Sequence, residues 1–379
     1  MRLALPSAST ASMAIDRRRL LGALIAAAAT ARWGSGGARA LDGEPLYISC
    51  RIDASEAASV AVLKADGELL LETALPARGH DIAQRPHTRQ FVVFARRPGT
   101  WAVAVDANRA KEPQIITARA DRHFFGHGLF SADGHLLYAS ENEIKTGDGI
   151  IGIYDASGGY ARIGEFKSGG IGPHDLSLLG DGHRMIIANG GLKTLPETGR
   201  EVLNSDDIAP NLAVLNLSNG AIEGVIELDR AYKKLSIRHL AKTSDDRIVF
   251  ACQHQGDADE LPPLVGIVDR QGEARLFEAP DEALARLNNY VGSVAMDESG
   301  SIIAATSPVG GTAAIWSIDG TYLGAAQISD VCGVARHRNG FLMSSGNAGV
   351  RDVATNGRAA ETSVLQNWIW DNHLRLVAS

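Results

Sequence analysis

The chain has 379 residues and a mass of 40.1 kDa, and its formal charge is −7 at pH 7. Proteins that bind nucleic acids typically carry a basic face, so this acidic balance argues against that class. Three Cys are too few for a scaffold held by disulfides. Beyond the N-terminal region no apolar run is long enough to cross a bilayer. The composition therefore indicates a globular protein that does not bind nucleic acid and is not a polytopic membrane protein.

The first 40 residues have the three parts of a cleavable export signal. Arg17 and Arg18 precede a short apolar stretch at 20–29, and small residues follow up to Ala40. The paired arginines indicate the twin-arginine route, and hence a location in the periplasm. An anchoring helix is the weaker interpretation because the apolar stretch is too short to span a bilayer. The mature chain would be 41–379, without a membrane span. Its charge would be −12, because six Arg and one Asp are removed.

The mature chain begins with three short apolar strands and then repeats one pattern six times. The strands lie at 46–49, 60–63 and 69–71. Each repeat has a polar or glycine-containing start, an apolar strand, a turn with Asp, Asn or Gly, and a second strand. An alternating third strand and a returning fourth strand complete the unit. The repeats start near residues 79, 126, 173, 238, 291 and 331. Four antiparallel strands recurring in this way are typical of β-propeller blades.

The two ends of the chain complement one another. The three N-terminal strands lack an innermost strand, and 373–377 supplies one strand with nothing after it. Joined, they form a seventh blade and close the ring, which leaves no sheet edge exposed between blades. We therefore predict an all-β fold, a single seven-bladed β-propeller over 41–379. A two-domain α/β enzyme is the weaker alternative, because only 281–287 reads as a helix.

One position recurs as histidine when the repeats are aligned at the start of their innermost strands. The residues at this position are His80, His127, His174, His239, Val291, Cys332 and His373. Innermost strands line the central channel of a propeller, so we expect these side chains to converge near one mouth. Imidazole and thiolate are ligands of copper, zinc and iron, whereas calcium and magnesium prefer oxygen. The pattern predicts a copper or iron site formed by the five histidines, with Cys332 as a sixth candidate ligand. Binding of an anion by the ring and a purely structural role are the alternatives.

A second set of polar residues follows the second strand of several blades, at the same predicted mouth. These residues are Arg51, Arg96, Glu141, Asn189, Gln253 and His254. They either orient the imidazoles or are solvated ends of loops, and the sequence favours neither.

Four short motifs resemble the domain-of-unknown-function family 1513. They are the sequences FGHG at 125–128, GPHDL at 172–176, IANGG at 187–191 and ACQHQG at 251–256. The resemblance implies a bacterial periplasmic seven-bladed propeller of the quinoprotein-dehydrogenase-like kind. It also implies imelysin-like iron-uptake lipoproteins and a di-haem peroxidase-like protein as partners. No catalytic residue comes with this resemblance.

The leading functional hypothesis is a periplasmic metal-binding propeller that acts with an iron-uptake system. The first alternative is a metal-dependent periplasmic oxidoreductase that activates water or oxygen. The chain has no GxSxG, HExxH or CxxCH motif to support a particular reaction. The second alternative is a non-catalytic scaffold whose acidic surface binds partner proteins.

Overall fold

The computed structural model describes residues 45–108, 111–199, 201–347, 349–359 and 368–377. The predicted export signal lies outside these residues. Within them, short antiparallel strands form seven sheets, each built around one innermost strand. The predicted all-β fold is confirmed.

Blades 1 to 3 follow one another along the chain. Blade 1 consists of β4 (Gly79–Gln84), β5 (Gln90–Ala95), β6 (Trp101–Asp106) and β7 (Gln114–Thr117). Blade 2 consists of β8 (Arg122–Phe130), β9 (Leu136–Glu143), β10 (Asp148–Asp155) and β11 (Ala161–Ile171). Blade 3 consists of β12 (Pro173–Leu178), β13 (Arg184–Asn189), β14 (Asn211–Asn216) and β15 (Ile222–Ile226).

Blades 4 to 6 continue the series. Blade 4 consists of β16 (Leu235–Lys242), β17 (Ile248–His254), β18 (Val265–Val268) and β19 (Ala274–Leu276). Blade 5 consists of β20 (Ser293–Met296), β21 (Ile302–Ser307), β22 (Thr312–Ser317) and β23 (Tyr322–Gln327). Blade 6 has three strands among the described residues, one fewer than predicted: β24 (Val331–His337), β25 (Gly340–Ser345) and β26 (Gly349–Ala354).

Blade 7 joins the two ends of the chain, as the sequence predicts. The C-terminal strand β27 (Trp368–Val377) pairs with β1 (Leu46–Asp53), and β2 (Ala58–Lys64) and β3 (Leu69–Ala74) follow outward. Neighbouring innermost strands contact one another around the whole circle, including β27 with β4. The ring is therefore closed by noncovalent pairing of the last strand with the first.

The core lies between neighbouring blades because strand side chains alternate between two faces, and each face meets another sheet. The cluster between blades 6 and 7 is an example: Trp370 and Leu374 of β27 pack with Leu342 and Val350. All four side chains are at most 2% exposed. The burial of these apolar faces is the main stabilising term of the ring.

The predicted short helix is present as α1 (Asp281–Leu287) in the connection between blades 4 and 5. Leu284 and Leu287 are its buried face, and it ends at Asn288, whose φ of 50° is left-handed. Among the described residues, no helix has the length and apolar character required to cross a membrane.

Candidate metal centre

Backbone bulges shape the wall of the channel where the histidines lie. The pairing register between an innermost strand and its neighbour shifts at or beside His80, His127, His174, His239 and His373, and at Cys332 in β24. In a regular strand, consecutive side chains point to opposite faces. A bulge inserts extra residues on one strand and re-aims its side chains. His80 and Asp81 can therefore both serve the same site, as can His174 and Asp175.

The five predicted histidines converge, and we call them the histidine cluster. Around its perimeter, ring centroids lie 6.0 Å apart from His80 to His174 and 4.8 Å from His174 to His239. The perimeter continues with 5.0 Å from His239 to His373 and 4.6 Å from His373 back to His80. His127 lies 4.5–5.8 Å from all four of these rings. All five imidazoles are at most 4% exposed.

The close approach of the His80 and His127 rings depends on a glycine next to His127. Gly126 has a φ of +107°, which L side chains rarely adopt. A Cβ at this position would lie 2.8 Å from Cδ2 of His80. Only glycine therefore allows β8 to come so close to the imidazole of the neighbouring blade.

Several ring nitrogens in the cluster have no hydrogen-bond partner although they are buried. They are Nε2 of His127, both nitrogens of His239, Nδ1 of His174 and Nε2 of His373. Ligand atoms of His80, His127 and His174 lie within 4.8 Å of one another, and the same holds for His127, His239 and His373. The cluster thus presents several unused nitrogen donors around one volume.

Three buried carboxylates surround the imidazoles and fix their orientation. His80 Nδ1 donates to Oδ1 of Asp371 over 2.7 Å. His127 Nδ1 lies 3.0 Å from Oδ2 of Asp81 and 3.5 Å from Oδ1 of Asp175. Such contacts leave Nε2 as the nitrogen available for a ligand.

Arginines hold two of these carboxylates, those of Asp81 and Asp371, in the ionised form. Arg78 Nε donates to Asp371 over 2.6 Å, and Arg375 Nε donates to Asp81 over 2.8 Å. Burial alone would raise the pKa of Asp371, but His80 and the nearby guanidiniums hold it well below its usual range. The carboxylates can therefore accept from the imidazoles at neutral pH.

The pKa values of the imidazoles differ sharply. Burial outweighs Asp371 and lowers the pKa of His80 to about 4. Burial also holds the pKa of His174, His239 and His373 well below 6.5, and the charge of His127 adds to this effect. At His127 burial acts in the same direction, but Asp81 and Asp175 outweigh it and raise the pKa to about 9. Four imidazoles are thus neutral and can act as metal ligands. His127 is a positively charged imidazolium in the metal-free protein.

Two cavities of different character flank the cluster. A wide channel of about 720 Å³ leads from the far face of the propeller to Asp81, Asp175 and Arg375. On the other side lies a pocket of only about 10 Å³, which is close to the room that one water needs. We call it the arginine pocket; it is lined by His80, His174, His239, Arg96, Arg97, Arg238, Gln253, Tyr290 and Asn372.

Cys332 does not join the histidines, which corrects its prediction as a sixth candidate ligand. Its Sγ lies 3.2 Å from the carbonyl oxygen of Asp330, and it packs in the apolar cluster between blades 6 and 7. Burial raises the pKa of this thiol, so it stays protonated. The alignment placed Cys332 correctly along β24, at the register shift of that strand, but its side chain packs in the apolar cluster between blades 6 and 7.

The second predicted set of polar residues divides into two groups. Arg96 and Gln253 line the arginine pocket beside the imidazoles, where Arg96 lies 3.6 Å from Asp371 and Gln253 donates to the carbonyl oxygen of Val291.

The other four residues of this set form their described contacts with groups outside the histidine cluster. Arg51 donates to Ser59 and stacks on Trp368, and Glu141 accepts from Tyr154 and Arg162. Asn189 donates to Ser168 and Asn211, and His254 pairs with Glu260. Strand ends at the mouth of a propeller fan outward, so only some of them reach the axis.

Sequence reasoning missed the carboxylates and arginines of the site. Asp81 and Asp175 directly follow two of the predicted histidines, so the repeated His-Asp pair was a usable signal. It was overlooked because neighbouring residues in a strand normally face opposite ways. Nothing in the sequence pattern singled out Arg238 or Asp371.

Together, the fold and site define a seven-bladed β-propeller with a buried histidine cluster in its central channel. The sequence profile of the family described as "Protein of unknown function (DUF1513)" matches residues 73–377. The chain belongs to this family. A comparison with curated proteins finds no match.

Two solved structures are similar to this fold. One is the hydrazine synthase of Kuenenia stuttgartiensis, with a TM-score of 0.58. The other is PpgL, the periplasmic gluconolactonase of Pseudomonas aeruginosa, with a TM-score of 0.61. Each is 14% identical, and each alignment covers 88% of this chain and 99% of the other. At this identity the similarity shows the propeller fold alone.

Proposed function

We propose that this protein is a periplasmic metal-binding propeller that holds iron or copper in the histidine cluster and acts with an iron-uptake system. The observation that carries the proposal is the group of buried imidazoles whose ring nitrogens lack partners. Leaving buried polar atoms unbonded costs free energy. A bound metal ion would use these nitrogens as ligands.

The spacing of the rings supports a metal. A nitrogen bound at about 2.1 Å places its ring centroid about 3.2 Å from the ion, so neighbouring rings would be about 4.5 Å apart. The perimeter distances of 4.6–6.0 Å are close to this value. Loading therefore requires only small inward movements of the side chains.

The chemistry of the donors supports a transition metal. Imidazole nitrogens suit copper, iron and zinc, and the carboxylates beside His80 and His127 would increase the basicity of these ligands. The lowered pKa of His80 keeps its imidazole neutral at physiological pH, as a metal ligand must be. The chemistry that a bound ion supplies is Lewis acidity or electron transfer. His80, His127, His174, His239 and His373 would hold it.

The location and the partners rest on the sequence. The paired arginines before an apolar stretch support twin-arginine export to the periplasm. The resemblance to the family supports partnership with imelysin-like and di-haem peroxidase-like proteins. Co-purification of these proteins from periplasmic extract, before and after chelation, tests the partnership. Recovery of neither protein under either condition would contradict it.

The test of the metal site compares the native exported protein with a variant that carries His174→Ala, His239→Ala and His373→Ala. We expect about one ion of iron or copper per chain in the wild type by elemental analysis. The variant should bind that metal more than about 100-fold more weakly. Loss of a residue that only hydrogen-bonds a metal ligand already lowers the metal affinity 10–100-fold.

Cys332→Ser is the matched control, because this residue lies outside the cluster. It should retain the wild-type metal content. The same metal content in the triple variant, with its propeller fold intact by circular dichroism, would refute the metal site.

A further inference from the structure

We propose that the arginine pocket is a binding site for a small anion, of the size of chloride, azide or formate, that binds together with the metal. The inference rests on the proposed metal site and adds a co-ligand to it. The arginine pocket lies on the side of the histidine cluster opposite the wide channel.

The position of the arginine pocket links it to the metal site. His80, His174 and His239 of the histidine cluster line it together with Arg96 and Arg238. His127 does not line it, because its Nδ1 is directed at Asp81 and Asp175 on the side of the wide channel. An ion held by the perimeter imidazoles and His127 would therefore face the arginine pocket with its remaining side.

The chemistry of the lining selects an anion. Among the described residues the arginine pocket is lined by histidine, arginine, glutamine, tyrosine and asparagine. Asp371 is outside this lining, and its Oδ2 lies 3.6 Å from Nη1 of Arg96. The wide channel, in contrast, is lined by Asp81, Asp175, Asp297 and Glu298 as well as basic residues. Guanidinium groups are preferred partners of small anions because they offer several N–H donors in a fixed geometry.

Burial strengthens the electrostatic argument. Arg238 is 1% exposed and belongs to the largest fully buried side chains of the protein. Its charge, together with that of Arg96, acts on the imidazoles of the cluster. A metal ion would add positive charge next to these guanidiniums, where the low dielectric constant makes repulsion costly. An anion between the ion and the guanidiniums would offset this repulsion.

The size of the arginine pocket limits the ligand. A volume of about 10 Å³ is close to the room of one water, so a larger anion enters only when lining side chains move. Arg96, whose side chain is 21% exposed, is a lining residue that can make this movement. Larger carboxylates or nucleotides do not fit.

The proposal can be tested by measuring how the anion changes the affinity of the protein for the metal. If the anion and the metal stabilise one another, each raises the affinity of the other by the same factor. We expect azide or formate to raise the affinity of the wild type for Cu²⁺ at least about 10-fold over a perchlorate buffer, within the usual range of coupling. Azide should also produce a charge-transfer absorption band with bound Cu²⁺.

Arg96→Gln and Arg238→Gln should each reduce the gain in affinity to less than about 3-fold while one Cu²⁺ still binds. Arg96 is partly exposed, so its variant remains informative even if the loss of buried Arg238 prevents folding. Arg270→Gln removes an exposed arginine of blade 4 and serves as the control for charge. It should keep the full gain.

The outcomes separate the two proposals. If no Cu²⁺ or iron binds in any buffer, the proposed metal site fails. If metal binds with the same affinity with and without azide or formate, or if Arg96→Gln keeps the full gain, the anion site alone is refuted.

Discussion

Trp370→Ala is expected to lower the free energy of unfolding by about 3–5 kcal/mol, the usual cost of truncating a large buried aromatic side chain. Trp370 is fully buried on β27, the strand that closes the ring, and packs against blade 6. Its loss leaves a cavity at the joint between the first and last parts of the chain. Denaturation with urea, followed by tryptophan fluorescence and circular dichroism, measures the change.

Ile369→Ala is the matched control on the same strand. Its side chain points to the opposite face and is 40% exposed, so its truncation should cost less than about 1 kcal/mol. Equal losses for the two variants would show that β27 is not anchored by the core between blades 6 and 7.

His127 is expected to contribute about 3 kcal/mol of stability to the metal-free protein at pH 6.5, and this contribution is lost as the pH rises to 9, since each pKa unit corresponds to about 1.4 kcal/mol. Asp81 and Asp175 outweigh burial and raise the pKa of His127 to about 9. A pKa raised in the folded state means that protonation stabilises folding below pH 6.5. This stabilisation is lost as the pH rises through the folded-state value. Urea denaturation of the chelated protein across this range measures the loss.

His127→Gln isolates this effect because it removes the titrating group and keeps a side chain that can donate to the carboxylates. The three buried thiols, whose pKa values are raised, titrate alike in both proteins. The other four imidazoles, whose pKa values are lowered mainly by burial, are neutral above pH 6.5 in the folded protein, so the difference in pH dependence between the two proteins reports chiefly His127. Parallel profiles of stability against pH would mean that His127 is a neutral imidazole at pH 7.

The fold could be predicted because strand periodicity and the repeated turns are local properties of the chain. The strands of blade 7 were also predictable, since three strands at one end lacked the partner that the other end supplies. Three strands of blade 6 are described, and residues 360–367, which follow the third strand in the chain, lie outside the described residues.

The candidate site was predictable only in part. The histidines recur at one place in the repeat, so their convergence followed from the ring itself. The direction of a side chain within a bulge does not follow, because one extra residue reverses the alternation of the strand. For this reason Cys332 was wrongly included, and Asp81 and Asp175 were missed.

The sequence by itself determined the all-β repeat, the closing strand and the five equivalent histidines. Each of them follows from the spacing of the repeats and the alternation of apolar and polar residues along the chain. The tertiary structure decided which charges surround the imidazoles, since Asp371, Arg96 and Arg238 reach them from different blades. It also decided the protonation of His127, which depends on two carboxylates placed by neighbouring strands. Desolvation and charge proximity are properties of the assembled ring, and no single repeat contains them.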